Sequence, residues 1–417
     1  MEAAKISQQD SGEKLPSGWR WVRLREVISE AQGGFASGER DLNGIIQLRM
    51  NNVTNRGKFD WSSFLRVPAD SAAIAAYRLE VGDVLFNNTN STDLVGKTAL
   101  FKGYREPVVF SNHFTRLRAI TDLLSPDFLS LWLQTQWQQR VFANICNRWI
   151  GQSAVQRDKL LALEIPLPPL SEQKRIAAIL NEQMAEVERA RVAAEAQLAA
   201  AKSLPAAYLR AVFNSAEAQD WGRKPLGDVC ELLPAKSIAS DGDTKVLAIT
   251  TACLTEAGFQ PSGVKTARMR ARDAAECVVS PGEVLIARSN TPELVGRVAM
   301  FGGDPSGAVA SDLTIRLRTK DGVVAAYLAA YLSSLYTTGY WKERAGGASG
   351  TMKKITRSQI QNEQVPIPSE AEQHRITATL SDQVAAAEKT RKALEDQLAT
   401  INKLPAALLR RAFSGEL

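Results

Sequence analysis

"PPLSEQKRIAAIL", residues 168–180, returns 200 residues later as "PSEAEQHRITATL", residues 368–380. The match extends outward without gaps, so that residues 165–215 and 365–415 are identical at 24 of 51 positions. A second pair with the same offset, residues 81–103 and 281–303, is identical at 10 of 23 positions. A repeat of this length predicts a tandem duplication, in which a variable domain followed by a helical segment occurs twice.

Each repeated segment is typical of a long helix. A Pro-x-Pro stretch precedes it and marks the boundary, because proline does not fit a helix interior. About 30 residues without Gly or Pro follow. Apolar residues recur with heptad spacing at 176, 180, 184, 187, 194, 198 and 201, and again 200 residues later. Arginine occupies the seam at 191 and 391, where it either covers neighbouring side-chain stems or sets the register. Each long helix is expected to end at a Leu-Pro pair (204–205, 404–405), with a short second helix after it.

An isolated amphipathic helix of this kind needs a partner, and its own duplicate is the simplest one. We therefore predict an α+β fold in which two duplicated α/β domains are separated by two long antiparallel coiled-coil helices, with pseudo-two-fold symmetry. Short β-like runs such as "GDVLF" (82–86) and "GEVLIA" (282–287) precede helical stretches at 126–142 and 323–335. The predicted boundaries are 1–165 for the first domain, 166–215 for its helical spacer, 216–365 for the second domain and 366–417 for the second spacer.

The motif Gly-Lys-Thr at 96–98 resembles the end of a phosphate-binding loop, but its context excludes one. Such a loop needs a glycine five residues before its second glycine, where this chain has Ser91, and the second copy replaces Lys97-Thr98 with Arg297-Val298. No methyltransferase, zinc-protease or nucleophile-elbow motif is present either. With two histidines and four widely spaced cysteines, no catalytic residue and no metal site is predicted.

The cysteine spacing and the polar first ten residues, which lack a signal-peptide pattern, favour reduced thiols and a cytoplasmic location. The longest apolar run, residues 323–335, is too short to span a bilayer. The net charge of +6 lies mostly in the two variable domains, which carry +3 (1–165) and +2 (216–365). A mild positive excess suggests an anionic partner.

Two kinds of segment in the variable domains are suited to nucleic acid. The Gly-containing basic loops "RWIGQSAVQR" (148–157) and "RAGGASGTMKK" (344–354) fit phosphates, although solvated loops have the same composition. The matched polar stretches "LFNNTNSTD" (85–93) and "LIARSNTPE" (285–293) fit base edges, since Asn pairs with adenine and Arg with guanine; an Asn-rich turn is the alternative. The predicted DNA-binding residues are Arg49, Asn51, Asn52, Asn87, Asn88, Asn90, Lys97, Arg148, Gln152, Arg157, Arg288, Ser289, Asn290, Arg297, Arg344, Thr351, Lys353 and Lys354.

The order of these motifs resembles the specificity subunit of type I restriction–modification systems over nearly the whole chain. In that family each variable domain precedes a P-x-P-x(3)-EQ-x-x-I helix that ends in sequence like "LLRRAFSGEL" (408–417). "LPSGWRWVRLREV" (15–27) and "WGRKPLGDV" (221–229) resemble the opening of its target recognition domains, and "LVGK" and "LVGR" resemble their shared internal motif. The second proline-rich segment departs from the pattern of the first, because it reads "IPSEAEQ" where the first reads "LPPLSEQ". The two copies therefore need not present equivalent surfaces for docking partner subunits.

The resemblance implies a non-catalytic DNA-specificity subunit. Each target recognition domain would recognise half of a bipartite, asymmetric site in double-stranded DNA, and the helices would set the spacer and dock two methyltransferase (modification) subunits. Restriction/translocase subunits would join the full complex, and S-adenosylmethionine, ATP and Mg²⁺ would bind to the partner subunits. The alternatives are a specificity subunit of a type IIB-like enzyme, with nuclease and methylase fused in the partner, and a stand-alone coiled-coil scaffold.

Overall fold

The computed structural model describes residues 15–238, 242–347 and 351–417 of the chain. It confirms the predicted α+β class and the duplication, since two domains with the same strand order each lead into a long helix. None of the described helices is both long and apolar enough to cross a membrane. The four cysteines at 146, 230, 253 and 277 are free thiols.

Residues 15–213 form the first domain and the first long helix. The strands are β1 (Arg20–Arg23), β2 (Ile28–Gly33), β3 (Ile45–Leu48), β4 (Leu65–Val67), β5 (Val84–Asn87), β6 (Thr89–Asn90), β7 (Thr98–Leu100), β8 (Val108–Phe110), β9 (Phe114–Ala119), β10 (Asn147–Trp149), β11 (Gln152–Ala154) and β12 (Glu164–Leu167). The helices are α1 (Leu24–Val27), α2 (Ser71–Tyr77), α3 (Pro126–Gln138), α4 (Val141–Ile145), α5 (Arg157–Leu161) and α6 (Leu170–Phe213), with a 3₁₀ turn at Met50–Asn52.

Residues 214–417 repeat this order. The strands are β13 (Arg223–Pro225), β14 (Cys230–Leu233), β15 (Thr244–Ile249), β16 (Leu254–Thr255), β17 (Gly258–Phe259), β18 (Lys265–Met269), β19 (Val284–Ala287), β20 (Ser289–Asn290), β21 (Val298–Met300), β22 (Val309–Ala310), β23 (Thr314–Thr319), β24 (Lys353–Lys354) and β25 (Gln364–Pro366). The helices are α7 (Ala216–Asp220), α8 (Leu226–Val229), α9 (Ala271–Cys277), α10 (Ala325–Thr337), α11 (Tyr340–Arg344), α12 (Arg357–Gln361), α13 (Glu370–Ile401) and α14 (Leu404–Phe413), with 3₁₀ turns at Thr251–Cys253 and Pro261–Gly263.

Each domain contains an antiparallel four-stranded sheet and a three-stranded sheet with one parallel pair. The four-stranded orders are β2-β9-β5-β7 and β14-β23-β19-β21, and the three-stranded orders are β4-β3-β8 and β18-β15-β22. The central strands β5 and β19 are apolar at successive positions because both of their faces are buried. Val84 and Phe86 join the core beneath α3, whereas Leu85 joins the core of the three-stranded sheet.

Buried charge ties the four-stranded sheet to its surroundings. Arg316 on β23 and Glu283 before β19 are both almost fully buried, and their side chains pair at 2.9 Å. Arg316 also donates to the carbonyls of Pro234 (2.8 Å) and Val278 (2.5 Å), so the guanidinium is satisfied by protein groups. The corresponding Arg116 of the first domain is buried as well and donates to the Arg78 carbonyl at 2.8 Å. A buried guanidinium needs such partners, because leaving it unpaired would be costly.

The first long helix is fastened to its domain by one buried side-chain amide. Gln173, in the first turn of α6, has no exposed surface. Its Oε1 accepts from the backbone N–H of Ser125 at 2.8 Å, and its Nε2 donates to the carbonyls of Leu123 and Pro168, both at 2.9 Å. Because Ser125 precedes α3, the amide fixes the start of α6 against the start of the helix that covers the sheet.

The second domain contains the same three hydrogen bonds at the start of its long helix. Gln373, also without exposed surface, accepts from the N–H of Val324 at 2.8 Å and donates to the carbonyls of Gly322 and Pro368 at 3.0 Å. The "EQ" pair that marks the repeat in the sequence therefore has a structural role in both copies.

The two helical segments end differently, and one predicted boundary is wrong. α6 continues through Pro205 to Phe213 as a single 44-residue helix. In the second copy the helix does end, at Ile401, and α14 starts at Leu404 with Pro405 in its first turn. There the N–H of Lys403 bonds the carbonyl three residues before it, which tightens the last turn and separates the helices.

The chain divides into two compact units whose borders lie inside the long helices. One unit contains residues up to Ala194 together with Gln397–Leu417, and the other contains Glu195–Asp396. In the first unit α14 packs on α3, with the rings of Phe413 and Phe128 5.1 Å apart. In the other, the end of α6 occupies the same place, with the rings of Phe213 and Tyr327 5.7 Å apart. Each domain is thus completed by the end of the helical segment that follows the other domain.

We predict that Gln173→Ala lowers the free energy of unfolding by about 2–5 kcal/mol. The variant leaves the buried Ser125 N–H and Pro168 carbonyl without partners, and each such group costs about 1–3 kcal/mol, whereas the Leu123 carbonyl is only partly buried and costs less. Chemical denaturation measures the change. Gln183→Ala is the matched control on the same helix, because the buried Oε1 of Gln183 accepts no hydrogen bond from the described residues. Equal losses in the two variants would show that the amide does not fasten the helix.

Candidate nucleic-acid interface

The structure brings together the two kinds of segment that the sequence selected separately. In the first domain, β10 and β11 form a hairpin over residues 147–154, and β11 pairs with β6 of the polar stretch. In this register Asn90 lies opposite Ser153 and Thr89 lies opposite Ala154. The Asn-rich stretch and the basic loop therefore form one continuous three-stranded surface.

The second domain builds the corresponding surface from different side chains. β20 pairs with β24, placing Ser289 opposite Lys354 and Asn290 opposite Lys353. A further antiparallel bridge joins Gly346 to Lys354, so these two described ends of the basic segment lie side by side. Residues 348–350 of this segment lie outside the described part of the chain.

Eight of the predicted DNA-binding residues lie on accessible parts of these domains. In the first domain Asn51, Arg148, Gln152 and Arg157 are exposed. Asn88 is half-buried, and its side chain donates to the Asn112 carbonyl and Thr115 Oγ1 and accepts from Thr89 Oγ1, so it holds the turn after β5. In the second domain Arg344, Thr351 and Lys354 are exposed and Lys353 is half-buried. The Arg344 guanidinium stacks on the Tyr340 ring at 3.7 Å, which holds its charge at the base of the basic segment.

Ser289 and Asn290 of β20 are half-buried. The Oδ1 of Asn290 accepts from the N–H of Thr291 at 2.9 Å, which leaves its amide nitrogen for other partners.

Three predicted asparagines are buried and fully engaged, so their positions do not fit base contacts. Asn87 donates to the carbonyls of Thr89 and His113, and its Oδ1 accepts from Asn90 at 2.6 Å. Asn52 donates to the carbonyls of Asp60 and Ser63. The Asn87 and Asn90 side chains fix the turn after β5, as the Asn-rich-turn alternative for residues 85–93 describes, and Asn52 fixes the 3₁₀ turn after β3.

Lys97 is also buried, and the predicted DNA contact does not fit its surroundings. Its Nζ donates to the carbonyls of Val53 (2.5 Å) and Met50 (3.3 Å), and burial lowers the pKa of the ammonium below its ordinary value. The neighbouring Gly96 has φ +93°, and a Cβ placed there would lie 2.2 Å from the Phe142 ring. The shared "LVG" motif is therefore a packed turn that requires glycine.

Several half-buried arginines hold backbone carbonyls. Arg288 bonds the carbonyls of Ile355 (3.4 Å) and Asp312 (3.3 Å), which ties the basic segment to the loop before β23. Arg357 bonds the carbonyls of Leu232 and Leu233 at 2.7 and 3.0 Å, and burial, with the Arg288 charge, lowers its pKa. These two side chains position the segment that carries Lys353 and Lys354.

The other two predicted arginines, Arg49 and Arg297, are held in the same way. Arg49 donates to the Ser37 carbonyl at 3.4 Å, and burial lowers its pKa. Arg297 lies over the Tyr336 ring, 5.5 Å from its centroid, and donates to the Leu254 carbonyl at 3.4 Å.

Sequence reasoning missed the exposed apolar side chains on these segments. Trp149 and Ile150, at the tip of the first hairpin, are 61% and 106% exposed, and Met352 of the second domain is 46% exposed. The sequence does contain a signal for them, because the apolar residues of "WIG" (149–151) interrupt a polar stretch. The basic residues around them led instead to the prediction of a phosphate-binding loop.

The charge of both surfaces suits a polyanion. Residues 128–157 contain three arginines and no acidic residue, and residues 344–362 contain four basic residues and none that is acidic. A two-stranded β-ribbon has the width to enter the major groove of duplex DNA. Among the described residues no cluster of His, Cys, Asp or Glu could hold a metal ion. The arrangement can bind phosphates and touch base edges.

Comparison with known proteins gives the same answer for both halves of the chain. The family model of the type I restriction modification DNA specificity domain matches residues 16–194 and again residues 218–398. The type I restriction enzyme StySPI specificity subunit of Salmonella potsdam is 22% identical over 97% of this chain and 90% of its own length. The EcoKI specificity subunit of Escherichia coli K12 is 24% identical over 98% and 91%.

A third relative matches a smaller part. The putative MjaX specificity subunit of Methanocaldococcus jannaschii is 31% identical over 40% of each chain. Among solved structures, the HsdS subunit from Thermoanaerobacter tengcongensis has a TM-score of 0.61 over 97% of this chain and 98% of its own. A chain from a study of assembly and conformational transition of the type I R-M system has a TM-score of 0.73 over 97% and 100%. Both are 24% identical to this chain, and the likeness shows a shared fold.

We predict that Lys97→Met lowers the free energy of unfolding by about 1–3 kcal/mol, because two buried carbonyls lose their donor. The salt dependence of DNA binding should stay unchanged, since Lys97 does not reach phosphate. Denaturation and DNA titration at several salt concentrations measure the two effects. Lys102→Met is the control, because the Lys102 side chain is 68% exposed. A salt slope that falls by about one unit in Lys97→Met would restore Lys97 as a phosphate contact.

Proposed function

This chain belongs to the family of type I restriction–modification DNA specificity domains, of which it carries two copies, and we propose that each copy recognises one half of a bipartite, asymmetric DNA site. One observation carries the proposal: each domain joins a polar strand to an acid-free basic segment. The basic residues supply affinity for phosphate, and the polar side chains between them supply contacts to base edges.

The two halves of the site should differ in sequence because the two surfaces differ. The first domain offers Gln152, Arg148 and an aromatic tip, whereas the second offers Lys353, Lys354 and Ser289. Two DNA-recognition domains in one chain also fix the distance between their half-sites, just as dimer geometry fixes half-site spacing in dimeric DNA-binding proteins. The recognised site is therefore asymmetric, with a spacer of fixed length.

The chain itself is proposed to be non-catalytic. S-adenosylmethionine, and ATP with Mg²⁺, would bind to two methyltransferase subunits and to the restriction/translocase subunits of the complete complex. Support comes from the absence of catalytic motifs in the sequence and from relatives that are named specificity subunits. Recognition would thus be separated from chemistry, with this chain delivering its partners to a DNA sequence.

The long helices are proposed to set the spacer and to dock the methyltransferase subunits. α6 and α13 present exposed charged faces, where Arg175 pairs with Glu172 at 2.7 Å and Arg375 pairs with Glu372. Exposed ion pairs of this kind stabilise a protein little, so these charges remain available to a partner surface. The antiparallel pairing of the two helices stays part of this proposal.

The test of half-site reading uses the chain assembled with its methyltransferase subunits and DNA libraries randomised in one half-site at a time. Gln152→Ala should relax base preference in one half-site only, by about 1–3 kcal/mol at one position. The exposed Gln152 side chain makes no hydrogen bond to the described residues that would tie it to the fold. Lys353→Ala with Lys354→Ala should weaken binding to all sequences and reduce the salt slope by roughly two units.

Gln139→Ala is the control for Gln152→Ala, because Gln139 is exposed and lies outside the hairpin. The proposal fails if Gln152→Ala changes preference equally in both half-sites or in neither. Methyl transfer by the chain without its methyltransferase subunits would contradict the non-catalytic assignment.

The spacer proposal predicts the effect of lengthening both helices. Inserting four residues after Ala194 and four after Leu394 adds about 6 Å and slightly more than one turn to each helix. The modified site should keep both half-sites and gain one or two spacer base pairs, which sequencing of methylated DNA measures. Replacing four exposed residues at the same places, without insertion, is the control. An active complex that recognises a site with an unchanged spacer would refute the proposal that helix length sets the spacer.

A further inference from the structure

The tip of the first hairpin carries the most exposed pair of large apolar side chains on this surface. Trp149 ends β10 and is 61% exposed, and Ile150, at 106%, is as exposed as a free residue. Gly151, with φ +77°, then turns the chain into β11. A tryptophan normally buries much of its surface, so two such side chains at a projecting turn indicate a partner that covers them.

The hairpin holds the tip rigidly enough to act on a partner. Asn147 pairs with Ala154 and Arg148 with Ser153, and Ser153 is itself buried. The Ser153 hydroxyl shares a hydrogen bond of 2.8 Å with Thr92 Oγ1, which ties the ribbon to the polar stretch. The tip is therefore presented by a paired, anchored ribbon.

The surroundings of the tip identify the partner as nucleic acid. No acidic residue occurs between Asp127 and Asp158, and Arg148 adjoins Trp149 directly. The Arg148 guanidinium uses one nitrogen to bond the Ala143 carbonyl at 2.9 Å, which orients it and leaves its other donors. An apolar tip that adjoins Arg148 on an acid-free hairpin complements a duplex, whose phosphates flank stacked bases.

We propose that Trp149 and Ile150 insert into the DNA as an apolar wedge, partly unstacking one base step in the half-site recognised by the first domain. The proposal rests on the proposed function. Apolar side chains that enter a duplex in this way kink it and widen the surface in contact with protein. The matched segment of the second domain, "AGGASGTM" (345–352), has no aromatic residue, and its one large apolar side chain, Met352, is 46% exposed, so the larger distortion is expected in the half-site of the first domain.

The test uses the full chain assembled with its methyltransferase subunits and a duplex that contains the recognised site. 2-Aminopurine, which fluoresces more strongly when unstacked, replaces one base at a time in both half-sites. Because a methyltransferase extrudes the base that it modifies, some rise is expected at the target base of each half-site. The wedge predicts a further step of raised fluorescence in the first half-site, away from that target base, with no counterpart of equal size in the second.

Trp149→Ala should abolish this further rise and weaken binding by about 5- to 100-fold. The salt slope should stay unchanged, because an apolar wedge neutralises no phosphate. Trp149→Phe should retain the rise, and Ile150→Ala should reduce it. Leu42→Ala is the control, since Leu42 is 92% exposed on the same unit but lies outside the hairpin.

Three results would overturn the wedge: no further rise with the unaltered complex, a full further rise in Trp149→Ala, or failure of Trp149→Ala to assemble with the methyltransferase subunits. The last result would make the tip a protein-docking surface. Complexes that still select both half-sites, while showing no unstacking away from the methylated bases that depends on Trp149, would refute the wedge alone. Loss of half-site selection by the unaltered chain would instead refute the proposed function.

Discussion

A side-chain amide buried at the start of each long helix is the contact on which the rest of the architecture depends. Gln173 and Gln373 each make three hydrogen bonds to the backbone at sites without exposed surface. In a dry environment these bonds are directional and costly to break, so the helix can leave its domain along one line only.

The positions that the two copies share are mostly those that build this frame. The glycine of each "LVG" turn lies against an aromatic ring, of Phe142 in the first domain and of Trp341 in the second. Arg116 and Arg316 are buried among carbonyl and carboxylate partners. Exposed side chains on the joined surfaces differ instead, as Gln152 and Lys354 illustrate. One frame can thus present two recognition surfaces without changing its packing.

The joined surface itself follows from strand pairing across a long stretch of chain. Residues 89–90 and 152–154 are about 60 positions apart, and they meet because α3 and α4 return the chain to the same end of the sheet. Arg288 performs a related task in the second domain by tying the basic segment to the loop before β23. The residues predicted to contact DNA therefore include some, such as Arg288, whose side chains bond backbone carbonyls and position the basic segment instead.

The sequence by itself determined the duplication, the fold class, the long helices and the segments suited to nucleic acid, because identity at a fixed offset, heptad spacing and charge are properties of the chain alone. Tertiary structure decided which of the polar residues are accessible. Asn87 and Lys97 have side chains that could bind DNA, yet both donate their hydrogen bonds to backbone carbonyls that only the folded chain brings near. It also decided that α6 runs through Pro205 and that Phe413 completes the first domain, since packing against a distant partner outweighs local preference. Exposure of Trp149 was likewise undetermined, because the same residue in a core would give the same sequence pattern.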